Sequence, residues 1–294
     1  MTGIPDFGFH IAQADVSHVG CKWLDVPYAG RSPAQRLDIY LPNAGSGPYP
    51  VIIFIHGGGF ALGHKRDPHI PGLLEVRECG YALVSLDYRL SGEAVFPAGV
   101  QDTKAAVRWL RARGGEYSLD TERVVAWGTS SGGNFAALLA VSEGEPLFDD
   151  PSLGNEGVSS GIRAAVDWFG PTDFLAMDEQ LEASGFGPGG HDRADSAESR
   201  YLGAPITEAP DKVRLANPMT YINPRMAPIL IQHGTADRIV PVQQSVELAR
   251  TVEERLGPGV AEIDLLEGAG HEDETFRTPE NMARVLDFVE RHLR

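Results

Sequence analysis

The chain has 294 residues, 42% of them hydrophobic and 22% charged, a balance that suits a globular protein with a sizeable core and excludes the disordered and fibrous classes. Its 41 acidic residues against 25 basic ones give a formal charge of -16, a field that repels phosphate backbones and anionic headgroups and argues against nucleic-acid or membrane partners. No run approaches the roughly 18 apolar residues of a membrane span and the start lacks the basic-then-apolar pattern of a signal peptide, so a cytoplasmic location is expected.

In chain order, the first strand-like runs are 22–28 (KWLDVPY) and 35–41 (QRLDIYL), whose alternating polarity predicts partly exposed edge strands. Cys21 and Cys79 are far apart and form no C-x-x-C pattern, so both are expected to be free, buried thiols. The run 51–56 (VIIFIH) is almost wholly apolar, as a strand covered on both faces must be, and it leads into His56-Gly57-Gly58-Gly59-Phe60. Three successive glycines free the backbone to turn and to present N–H groups to a developing anion, which makes Gly58 and Gly59 candidate oxyanion donors. A phosphate cradle would need a G-K-[ST] ending, which this loop lacks. A strand at 81–87 (YALVSLD) and a helix at 99–113 follow, the helix placing Val100, Ala106, Val107 and Leu110 near one face.

The next strand, 123–128 (RVVAWG), runs into Gly128-Thr129-Ser130-Ser131-Gly132-Gly133-Asn134 and then the helical stretch FAALLAVSE. A serine on a sharp strand-to-helix turn needs glycines two residues to either side, because side chains there would strike the neighbouring strand and helix. That pattern selects Ser130 as nucleophile over Ser131, whose residue at minus two is Thr129, and it aims the Ser131 N–H and the helix N-terminus at the place where negative charge develops. After a strand at 164–169 (AAVDWF), segment 171–226 is polar, rich in Gly and Pro and too long for an ordinary connection. It reads as a cap, to which residues 1–20 could add. Gly185 to Gly190 match G-x-G-x-x-G by letter but follow a polar stretch and open no convincing helix, so they are read as flexible cap; the two sets His64 with His69 and His191 with Asp192 and Asp195 lack metal-ligand spacing and are read as exposed loop, with no metal and no cofactor.

Strand 228–233 (PILIQH) ends in His233-Gly234-Thr235-Ala236-Asp237, helix 242–256 follows, and strand 261–267 leads to Gly268-Ala269-Gly270-His271 before a last helix at 281–293. Of nine histidines, His271 is the one on a turn after the last strand, where a loop can reach back over the sheet's carboxyl edge. With Asp237 it gives the order Ser, Asp, His, in which His271 takes the serine proton and Asp237 orients the imidazole. Glu267, read as strand, and Asp273, next to His271, are the rival carboxylates and are taken as solvated. Trp168, Phe169, Phe174 and Met177, around the start of the cap, are residues more often core than pocket, but one or two are expected to line the acyl or alcohol site; Phe60, Trp168, Phe169 and Phe174 are the candidate substrate contacts.

Taken together, HGGGF, DYRLSGEAVFPA at 87–98, GTSSGGN and the HGTADRIVP to GAGHE tail resemble the H-G-G-G class of α/β-hydrolase esterases, from about residue 35 to the C-terminus. Thr129 and Ser131 depart from the G-D-S-A-G-G-N elbow of the hormone-sensitive-lipase-like members, and the acid-bearing loop is closer to the acetyl and feruloyl esterases and to dienelactone-hydrolase or peptidase relatives. The resemblance implies one α/β-hydrolase domain over 1–294: a mostly parallel eight-stranded sheet, helices on both faces and a small cap insertion. It also implies hydrolysis of carboxylic esters, and the lack of an interfacial apolar segment predicts small neutral esters with short acyl chains or small aromatic or acetyl groups over emulsified lipid. A peptidase or amidase would use the same triad, and a non-catalytic binder on this fold typically lacks the histidine that this chain keeps. A homodimer is compatible with these features.

Overall fold

The structure, a computed structural model, describes residues 13–294. Eight strands, β1 (Lys22–Pro27), β2 (Arg36–Tyr40), β3 (Tyr49–Ile55), β4 (Ala82–Leu86), β5 (Leu119–Thr129), β6 (Ala164–Trp168), β7 (Ile229–Gly234) and β8 (Ala261–Leu266), form one sheet in the order β1-β2-β4-β3-β5-β6-β7-β8. β2 runs antiparallel to both neighbours and the remaining pairings are parallel. The helices are α1 (Ile70–Leu73), α2 (Ala98–Arg113), α3 (Ser131–Val141), α4 (Met177–Ala183), α5 (Ala197–Leu202), α6 (Pro210–Ala216), α7 (Gln243–Leu256) and α8 (Pro279–Leu293).

The period-2 geometry of a strand divides β3 between two cores. Ile52 and Phe54 pack with α1 and α8 on one face, while Val51, Ile53 and Ile55 pack with α2 and α3 on the other. On the second face α7 adds Leu248, Ala249 and Val252 against Ile229 and Ile231 of β7. Covering both faces is why the run 51–56 is apolar throughout, and each large side chain so buried contributes about 1.5–3 kcal/mol. Sequential βα connections place the ends of β5, β7 and β8, and the loops that follow them, along one rim of the sheet.

Several expectations are corrected. β2 is not an edge: it lies between β1 and β4, and its polar alternation comes from Asp38, a buried carboxylate that accepts hydrogen bonds from the Arg66 guanidinium, the Tyr40 hydroxyl and the Asp25 N–H. Helix α2 buries more than one face, because Lys104 and Arg108 also lie inside, donating to the Ser142 carbonyl and to Asp149 of the loop that covers them. Cys21 and Cys79 are free, as read, but exposed, Cys21 just ahead of β1 and Cys79 at the end of the helical turn before β4. His69 is buried against Asp67 rather than exposed, and β8 stops one residue short of Glu267.

Segment 171–226 carries α4, α5 and α6, and its apolar residues Phe174, Met177, Tyr201, Leu202, Ile206 and Val213 merge with the core beneath α2 and α3. Residues 1–12 lie outside the described residues. Of the rest of the N-terminal segment, Val16 and Val19 pack on the opposite face, with α1 and α8.

Candidate active site

Ser130 joins β5 directly to α3 and is held at φ +53°, ψ −121°, a strained conformation for a residue with a side chain. Three glycines make the turn feasible. A Cβ on Gly128 would lie 1.9 Å from the Gly132 carbonyl oxygen, one on Gly132 would lie 2.1 Å from the Ile55 carbonyl oxygen of β3, and one on Gly133 would lie 2.2 Å from Asp167 Oδ1. The helix therefore starts in contact with two strands, and the serine side chain is pushed out over the rim.

There it meets His271. Ser130 Oγ and His271 Nε2 are 3.1 Å apart, and His271 Nδ1 is 2.7 Å from Asp237 Oδ2. Because an ionised carboxylate can only accept, Nδ1 carries the proton and Nε2 is left to accept from the serine hydroxyl. Asp237 is buried and fully engaged: Oδ1 accepts from the N–H groups of Ile239 and Val240, and Oδ2 also lies 3.2 Å from His233 Nε2. Burial alone would push this carboxyl up, but the hydrogen bonds and charges of His233 and His271 outweigh it and hold the group well below the usual carboxylate range. His233 is itself oriented, since its Nε2 faces the Val240 carbonyl at 2.9 Å and its Nδ1 accepts from the Ser245 hydroxyl at 2.6 Å. The ring of Phe169 meets that of His271 edge-on at 4.6 Å and supports it from behind.

The triglycine loop passes across the elbow. A Cβ on Gly57 would lie 2.9 Å from the Thr129 carbonyl oxygen and 3.2 Å from Ser130 Cβ. Gly58 (φ +113°) and Gly59 (φ +58°) then turn the chain back, with Phe60 also at positive φ. His56 anchors the start of the loop: its Nδ1 donates to the Gly57 carbonyl at 2.8 Å, its carbonyl accepts from the Tyr88 hydroxyl at 2.9 Å, and its ring stacks on Tyr88. Among the described residues, no turn or loop carbonyl takes up the N–H of Gly58, Gly59 or Ser131. Gly58, Gly59, Phe60, Ser130, Ser131 and His271 border one cleft of about 440 Å³.

The model of the family named BD-FAE matches residues 37–252, which span the elbow, the triglycine loop and Asp237. The chain belongs to the BD-FAE family. Among curated proteins it is similar to a probable carboxylic ester hydrolase, LipM, of Mycobacterium tuberculosis, 29% identical over 79% of this chain and 51% of that one. It is also similar to esterase LipC of the same organism, 28% identical over 82% and 58%. The chain thus spans about half the length of the curated relatives it matches. Among solved structures, a truncated carbohydrate esterase from gut microbiota superposes with a TM-score of 0.83 at 30% identity, covering 96% of this chain and 99% of that one. A bifunctional GH43-CE protein of Bacteroides eggerthii gives 0.84 at 30% identity, covering 93% and 35%. An esterase of Thermogutta terrifontis, at 22% identity and a TM-score of 0.70, shares the fold.

In this BD-FAE member the four aromatic residues singled out from the sequence divide sharply. Phe60 borders the cleft, stacked on Tyr201 at 3.9 Å. Phe169 sits behind His271, and Phe174 is core, packed against Phe60 and Tyr201. Trp168 faces away from the cleft, its Nε1 donating to Gln232 while its ring meets Trp127. Gly189 and Gly190, read as flexible cap, and His191, read as exposed loop, form part of the cleft wall together with Ala197, Glu198, Ile239, Val240 and Glu272. Sequence reasoning missed these wall residues as well as His233 and Tyr88. His233 stands four residues before Asp237 in the same motif, which was a usable signal, whereas the cap residues carry none. Asp273 caps the turn after His271, accepting from the Thr275 N–H, and Glu267 is exposed, so neither rivals Asp237. No helix among the described residues is long and apolar enough to cross a membrane, and no cluster of three or more potential metal ligands occurs among them.

Proposed function

We propose that this chain is a serine carboxylesterase acting on small neutral esters with short acyl or small aromatic groups. The observation that carries the reading is the continuous relay from Asp237 through His271 to Ser130 Oγ, at 2.7 and 3.1 Å, opening on a cleft beside the N–H groups of Gly58, Gly59 and Ser131, which no described turn or loop carbonyl takes up. A serine hydroxyl is too weakly acidic to attack unaided, so His271 Nε2 accepts its proton as Oγ adds to the ester carbonyl. The N–H groups of Gly58, Gly59 and Ser131, which border the cleft, are the donors that receive the new oxyanion in this reading. The imidazolium, held by Asp237, then gives its proton to the departing alcohol. Water activated by the same nitrogen releases the acid from Ser130 and restores the hydroxyl.

The names of the relatives, esterases and carbohydrate esterases, support ester over amide bonds and an alcohol portion that can carry hydroxyls. The cleft, about 440 Å³, lies toward the lower end of ligand-pocket sizes, in keeping with short acyl chains. The test compares p-nitrophenyl esters of two to sixteen carbons with aminoacyl p-nitroanilides. The reading predicts a rate maximum at short chains and little anilide turnover. A maximum at long chains would reject the substrate class, and faster anilide hydrolysis would make the protein an amidase.

A further inference from the structure

Two charged side chains of the cleft wall, His191 and Glu198, have no part in the reaction just described. His191 Nδ1 lies 3.2 Å from Glu198 Oε1, and its Nε2 lies 3.0 Å from the carbonyl oxygen of Ile239. Both ring nitrogens therefore face oxygens that only accept, and the imidazolium is the one form that donates to both. Burial pushes His191 down, but Glu198 and Asp178 outweigh it and raise its pKa, in keeping with that form. The backbone is fixed too, since the N–H groups of His191 and Asp192 donate to the two oxygens of Asp178 at 3.0 and 3.1 Å.

Glu198, in the first turn of α5, is only 7% exposed. One oxygen faces His191; the other receives no hydrogen bond from any described residue, and no lysine or arginine borders this cleft. A carboxylate so nearly buried needs further donors or it bears a desolvation cost whenever a ligand strips its water. The departing alcohol takes its proton from His271, which borders the same cleft, and the His191–Glu198 pair is tied through Ile239 to the loop that carries Asp237, the partner of His271.

We infer that Glu198, held in place by His191, is a specificity-determining residue that accepts a hydrogen bond from a hydroxyl on the alcohol portion of the ester. This rests on the esterase reading. An alcohol without such a hydroxyl leaves the carboxylate oxygen unpaired, and a site built in this way discriminates against it.

The experiment measures kcat/KM for 2-hydroxyethyl acetate and for its isostere propyl acetate by pH-stat, in wild type, Glu198→Leu and Glu198→Gln. Wild type is expected to prefer the hydroxylated ester by about tenfold, the scale of one hydrogen bond to a charged group. In Glu198→Leu the ratio falls to about one, mostly through KM for the hydroxylated ester, while Glu198→Gln, which keeps the size and one acceptor oxygen, lies between. A merely structural role would lower both rates together and leave the ratio alone. A ratio equal in wild type and variants, or a wild-type preference for propyl acetate, overturns the inference; should Glu198→Leu not fold, Glu198→Gln decides by the same criterion. Wild type that cleaves neither ester nor p-nitrophenyl acetate overturns the esterase reading and this inference with it, whereas cleavage without hydroxyl preference overturns the inference alone.

Discussion

Asp237 receives hydrogen bonds from two histidines and two backbone N–H groups at once, and that crowding decides what it can do. A carboxyl held so far below its ordinary range stays ionised at neutral pH, so it is placed to orient the His271 ring and to stabilise its charged form without taking the proton itself. Asp237→Asn keeps the shape but not the charge, and kcat on p-nitrophenyl acetate is expected to fall by roughly 10³–10⁴. His233 touches no substrate in this arrangement and acts through Asp237. His233→Asn is expected to lower kcat by about a hundredfold or less with KM nearly unchanged, the cost of a small misplacement of the acid. A rise in KM with kcat intact would instead place His233 in contact with the substrate.

At the scale of elements, the strand–turn–helix from β5 to α3 is over-determined by close contacts. Gly132→Ala is expected to abolish soluble expression or to lower Tm sharply, because its new methyl group meets the Ile55 carbonyl of a central strand. Beneath the same helix, Asp167 of β6 accepts one hydrogen bond, from the Gly170 N–H, while its second oxygen is buried without a partner. Burial pushes this carboxyl up to about 7. Between the ordinary carboxylate value and about 7 the folded chain keeps a proton that the unfolded chain has lost, so this group's contribution to stability falls as pH rises through that window and is level above it. Asp167→Asn removes the titration. Its Tm relative to wild type is expected to rise by about 3 °C or more from pH 5 to pH 8 in thermal melts, and a constant difference would contradict the assignment.

These elements also mark how much could be read in advance. The strands at 51–56, 164–169 and 228–233, the serine elbow and the loops bearing Asp237 and His271 were legible, because buried parallel strands and tight turns write themselves as apolar runs and glycines at fixed offsets. β2 was misread as an edge because the polarity of Asp38 signals solvent unless its partner Arg66, 28 residues away, is known. The wall formed by His191 and Glu198 was illegible because a loop histidine paired with a carboxylate on a short helix seven residues on follows no period and no local motif.

For the whole molecule, the formal charge of -16 and the two carboxylates in the cleft wall, Glu198 and Glu272, set a field that disfavours anionic substrates. For a carboxylated ester such as a succinate monoester, kcat/KM is expected to rise several-fold between 10 and 300 mM salt as repulsion is screened, while a neutral ester of the same size changes little. Equal salt dependence for both would remove electrostatic selection from the account. Membership of the BD-FAE family and the eight-stranded sheet give the scaffold, but the chemistry depends on three side chains, far apart in the chain, meeting at one rim of that sheet. The most direct measurement is the intact mass of wild type, Ser130→Ala and His271→Ala after exposure to an alkylphosphonate ester inhibitor. One adduct on wild type, none on Ser130→Ala and strongly slowed labelling of His271→Ala is the predicted result; an adduct of equal yield on Ser130→Ala would contradict it.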